Sequence, residues 1–83
     1  MPDYSAFFVA LGARIREERK KLGLSQEDMI PLGFSARHWQ QIEAGRPITV
    51  TTLLKVSDAL KLPLLQLLAG LDKLLPNQGE ESK

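Results

Sequence analysis

Apolar residues recur along this chain at helical spacing, and each run is bracketed by residues that start or stop a helix. Asp3 can cap a helix beginning at Tyr4, with Phe8, Leu11, Ile15 and Leu22 roughly in phase. Gly23 stands where a left-handed residue would end it. Ser25 is placed as an N-cap, and Asp28, three residues on, can reciprocate as in a capping box. Pro31 follows within two turns, and an internal proline removes a hydrogen bond and clashes with the preceding turn, so this second helix is short. Gly33 permits a tight turn, Ser35 caps a third helix, and Gly45 with Arg46-Pro47 ends it. Thr49 or Thr51 can cap a fourth helix whose apolar positions are Val50, Leu53, Leu54, Val56 and Leu60. Pro63 lies at or near the start of a leucine-rich fifth helix running to about Leu75. No segment reads as a strand and no repeat is present. The pattern predicts an all-α fold, with residues 1–75 as one domain and the polar residues 76–83 as a disordered tail.

The short second helix, the Gly33 turn and the third helix together fit a helix-turn-helix. On a wheel of the third helix, Ala36, Arg37, Gln40, Gln41 and Ala44 share one face, and His38, Trp39 and Ile42 share the other. The second face can pack on the neighbouring helices. The first carries the residue types that base reading needs. Arginine can donate twice to guanine O6 and N7, glutamine can pair with adenine N6 and N7, and small alanines let the backbone approach closely. Glutamine and arginine are equally at home on an ordinary solvated face. On this helix alone the two readings balance.

Composition changes this picture little. The chain has 83 residues, 43% hydrophobic and 25% charged, which allows one small core whose stability is marginal without association. With no cysteine there are no disulfides or thiolate metal sites. The longest apolar stretch, Ala6 to Ala13, is too short to span a bilayer, and no basic segment precedes it as in a signal peptide. The net charge of +1 is weak support for a nucleic-acid partner. Arg14, Arg16, Arg19, Lys20 and Lys21 do cluster, but Glu17 and Glu18 sit among them, and on charge alone the cluster reads as a solvated helix face.

Other residues read more plainly. Trp39 is expected in the core rather than stacked on a base. His38, the only histidine, has no partner for metal binding and is expected partly buried or at an edge. Gly12 interrupts the first helix, where glycine destabilises, and close helix packing explains it. No set of serines, acids and histidine assembles for catalysis, so an enzyme, a metal site and a cofactor are not expected. The leucines after Lys61 exceed one buried stripe. Leu64, Leu68, Leu71 and Leu75 can face the bundle, which leaves Leu65, Leu67 and Leu74 near the surface as a homodimer interface or a surface for another protein.

Several short motifs occur in a telling order: Leu11-Gly12-Ala13-Arg14-Ile15-Arg16, then Arg19, Gly23-Leu24-Ser25-Gln26-Glu27, Gly33-Phe34-Ser35, and Ile42-Glu43-Ala44-Gly45, continued by Thr52-Leu53-Leu54 and Ala59-Leu60. Over roughly residues 11–70 the chain resembles the Cro/C1-type (XRE) family of bacterial and phage regulators. The resemblance tips the balance towards DNA. It implies a five-helix bundle of the lambda-repressor-like type. It implies a cytoplasmic, sequence-specific transcriptional regulator, a repressor binding a palindromic operator as a homodimer through the recognition helix 35–44. By position it implies base contacts from Ala36, Arg37 and Gln41 with Gln40 nearby, phosphate contacts from Gln26, Ser35 and Arg46, and an Arg19–Glu43 ion pair. Double-stranded DNA is the implied partner. The alternative is a protein-interaction or antitoxin-like module of the same fold. The family usually has one more residue between the Ser-Gln pair and the turn glycine, and no proline there. The second helix is therefore expected to be distorted near Pro31, which bears on Gln26 more than on Arg37.

Overall fold

The computed structural model describes residues 3–76; the tail expected beyond Pro76 lies outside the described residues. Among these, the chain forms α1 (Ser5–Lys21), α2 (Ala36–Glu43), α3 (Val50–Leu60) and α4 (Leu64–Leu68), with 3-10 helices at Glu27–Met29 and Leu71–Leu74 and no strand. The second helix expected from the sequence is thus a single 3-10 turn. Asp28, Met29 and Ile30 each donate to the carbonyl three residues back, and so do Leu32 and Gly33. Pro31 contributes to this: it has no amide to bond the Glu27 carbonyl in the α pattern, and that carbonyl takes the Ile30 amide instead.

The helix boundaries follow local chemistry. The Asp3 carboxylate accepts from the Ser5 amide at 2.9 Å and the Ser5 hydroxyl at 2.6 Å, so Asp3 serves the start of α1 although the helix begins one residue later than expected. At its end, Gly23 is left-handed (φ +74), its amide donates to the Lys20 carbonyl, and the Leu24 amide donates to Arg19. That pair of bonds is a Schellman motif. The same pair closes α2 at Gly45 (φ +94), whose amide donates to Ile42 while that of Arg46 donates to Gln41. Ser25 and Asp28 form the reciprocal capping box, with bonds of 2.7 and 3.2 Å. The Ser35 hydroxyl caps α2 through the His38 amide, and Thr49 caps α3 through the Thr52 amide.

The core gathers Leu11 and Ile15 of α1, Met29 and Phe34 from the turn region, Trp39 and Ile42 of α2, Val56 and Leu60 of α3, and Leu67 and Leu71. Two expectations for the C-terminal segment are corrected here. The leucine-rich helix does not run to Leu75: it stops at Leu68, and Gly70, at φ +79, redirects the chain into the 3-10 turn. Leu67 is not a surface residue, being 0% exposed. The inward row is Leu64, Leu67, Leu68 and Leu71, the i, i+3, i+4, i+7 stripe counted from Leu64, with Leu67 the most deeply buried. Leu65 at 81% and Leu74 at 42% are exposed.

Gly12 shows how tightly α1 crosses α2. A β-carbon there would lie 2.6 Å from the Ile42 carbonyl oxygen and 2.7 Å from that of Glu43. In an open helix, Gly→Ala gains about 1 kcal/mol. Here backbone atoms that cannot rotate away stand in the space, and the overpacking cost of about 1–3 kcal/mol prevails. Gly12→Ala is therefore expected to lower the urea midpoint; a raised midpoint would contradict this packing.

Candidate nucleic-acid interface

Glu43, the last residue of α2, fixes the helix to the rest of the domain. Its carboxylate accepts from Arg19 Nε at 2.6 Å and Nη2 at 3.1 Å, from Gln26 Nε2 at 2.9 Å, and from Trp39 Nε1 at 2.5 Å. A carboxylate has about four acceptor sites, and these donors fill them. Arg19 spends its third edge on the Leu24 carbonyl, with Nη1 to oxygen at 2.6 Å. The Arg19 and Glu43 side chains are only 7% and 5% exposed. One cluster therefore joins α1, the 3-10 turn and α2. Among the described residues no buried side-chain nitrogen or oxygen lacks a partner.

Burial alone would raise the pKa of Glu43. The hydrogen bonds from Arg19, Gln26 and Trp39, with the Arg19 charge, outweigh it and hold the carboxyl below its ordinary value. The hydrogen bond to Glu43 raises Arg19 in turn. A carboxyl with a depressed folded-state pKa binds fewer protons folded than unfolded. Its contribution is complete above the unfolded value and is lost as pH falls through the folded one. Asp28, lowered mainly by the Ser25 amide, and Asp3, lowered by the Ser5 hydroxyl, act with the same sign. The urea midpoint should fall as the pH is taken below about 4.5, with a shallower dependence in Glu43→Gln. Equal pH dependence in the two proteins would contradict this account of Glu43.

With its inner side held, α2 turns a polar face outward. Ala36, Arg37, Gln40 and Ala44 are exposed and Gln41 is half-buried, while Trp39 and Ile42 are buried. His38 is exposed rather than on the buried face, its ring 6.3 Å from that of Phe34. Ser35 and Arg46 are exposed at the two ends of the helix. Gln26 is half-buried, and its amide is turned towards Glu43.

Two contacts have no counterpart in the sequence reading. Trp39, assigned to the core as an apolar residue, also donates to Glu43; its position four residues before that acid was the available signal. Arg14 leaves the basic cluster to bond the main-chain carbonyls of Gln66, Leu67 and Ala69, at 3.3, 3.3 and 3.1 Å. No sequence pattern marks such a main-chain target. No group of acids and histidine able to hold a metal occurs among the described residues, and no helix there is long and apolar enough to cross a membrane.

A braced turn, the left-handed Gly33 and a helix whose outer face is polar and whose inner face is locked to the core define a helix-turn-helix protein, a DNA-binding class. The chain belongs to the helix-turn-helix domain family, whose family model, described as "Helix-turn-helix domain", matches residues 10–69. That match is consistent with the Cro/C1-type resemblance. No curated protein and no solved structure matches the chain.

Proposed function

We propose that this protein is a Cro/C1-type transcriptional regulator with a lambda-repressor-like domain, a repressor that binds a palindromic operator as a homodimer. The observation that carries this reading is the outer face of α2: Arg37 and Gln40 exposed and Gln41 beside them, flanked by the small Ala36 and Ala44, on a helix whose other side is immobilised by Trp39, Ile42 and Glu43. In this reading Arg37 and Gln41 contact base edges, with Ala36 and Gln40 close by. Ser35 and Arg46 contact phosphates at either end of the helix. Gln26, with one amide hydrogen on Glu43, has a second hydrogen to offer a phosphate. Leu65 and Leu74 supply the dimer contact; Leu67, being buried, supports their side of the segment from within. A cytoplasmic, bacterial or phage setting belongs to the same proposal.

A second reading is favoured by one observation. Leu65 is 81% exposed on α4, which suits a protein partner as well as a second copy. In that case the fold serves an interaction or antitoxin-like module. Selection from a random oligonucleotide pool separates the two. The DNA-reading proposal expects one enriched motif with two symmetric half-sites. No enriched motif would favour the interaction module, and a single half-site would remove the dimer.

A further inference from the structure

The basic cluster of α1 is not one uniform solvated face. Arg14 is occupied by main-chain carbonyls, Arg19 by Glu43 and Lys21 by Glu18. Arg16 and Lys20 are exposed and make no hydrogen bond or ion pair among the described residues. They lie one helical turn apart, on the same side of α1. Both line a groove whose opposite wall includes Ala44, at the end of α2.

We propose that Arg16 and Lys20 contact the DNA phosphates beside the C-terminal end of α2, extending the interface onto the first helix. This rests on the DNA-reading role proposed above. Ala44 belongs both to the outer face of α2 and to the groove, so the Arg16–Lys20 row stands beside the end of that face. A recognition helix presents its N-terminal residues to the bases, so its C-terminal end leads outward to the groove's edge, where the phosphates run. Arg46 is exposed just past this same end. The groove between the basic row and Ala44 is lined by the small Ala10 and Ala13, which leave room for a sugar-phosphate strand. Glu17 lines it too and opposes an anion there. Glu43 lines it as well, but its charge is paired with Arg19, and the one unpaired acid, Glu17, is outnumbered by Arg16 and Lys20.

The test uses the full chain and a duplex carrying the motif enriched from a random pool, alongside a scrambled duplex, with affinity read by fluorescence anisotropy from 50 to 300 mM KCl. Arg16→Gln/Lys20→Gln is expected to flatten the plot of log affinity against log salt by about two, near 0.9 per lost phosphate contact. The loss should be similar on both duplexes, with the melting temperature unchanged. Glu17→Gln is expected to strengthen binding to both, about two-fold. An unchanged salt slope in the double variant, while Arg37→Ala still weakens specific binding, overturns the phosphate row and leaves the reading of α2 standing. A wild-type protein that binds neither duplex overturns both.

Discussion

Arg37→Ala combined with Gln41→Ala is expected to remove most sequence-specific DNA binding while leaving the fold intact. A good bidentate base contact contributes about 1–3 kcal/mol of discrimination, so the pair should lower affinity for the selected duplex by about 2–6 kcal/mol per half-site, roughly 30-fold to 10⁴-fold. Specific binding typically exceeds non-specific binding by about 10³- to 10⁷-fold, so a loss of this size brings the protein near its non-specific level. The scrambled duplex, held through phosphates, should lose far less. Arg37 is exposed and Gln41 half-buried, and neither enters the Glu43 cluster, so thermal stability should change by only about 0.5 kcal/mol. Unchanged specific affinity in a folded double variant would refute the reading of α2.

Glu43→Ala should do the opposite, acting on the fold first. It removes the acceptor for Arg19, Gln26 and Trp39 together and leaves a buried guanidinium uncompensated. Breaking a buried pair from one side costs about 3–5 kcal/mol. A small domain has about 5–15 kcal/mol of total stability, so much of the margin disappears. The urea midpoint should fall sharply, and DNA binding should weaken in proportion to the unfolded fraction. Arg19→Met/Glu43→Leu, which strands no charge, should lose less than the sum of the two single changes. A Glu43→Ala protein within about 1 kcal/mol of wild type would refute the role given to this cluster.

Helix boundaries were the most legible part of the fold, because capping chemistry is local. Gly23, Ser25 with Asp28, Ser35, Gly45 and Thr49 each act where their side chains or backbone freedom suggest. Pro31 marked the right place but not the outcome. Whether a proline-bearing turn keeps any α bonds depends on the packing around Met29 and Phe34, which local pattern does not contain. Leu67 was misplaced because a helix with leucine at most positions has several plausible apolar stripes. Its phase is set by docking on α1 and by the break at Gly70. On α2, the split between the buried Trp39 and Ile42 and the outer Arg37 and Gln40 is visible in the periodicity, whereas the tie from Trp39 to Glu43 depends on the indole N–H, which a pattern of apolar positions does not carry. The separate fates of Arg14, Arg16, Arg19, Lys20 and Lys21 emerge only in three dimensions, since consecutive turns of one helix face different neighbours.

The central claim is that α2 reads bases, and a change of letter tests it more directly than a loss of affinity. Arg37→Gln exchanges a guanine-reading side chain for an adenine-reading one on an unchanged scaffold. Random-pool selection with the wild type and with Arg37→Gln should return motifs that differ at one position in each half-site, guanine giving way to adenine there, with all other positions retained. Identical motifs from the two proteins would contradict the account.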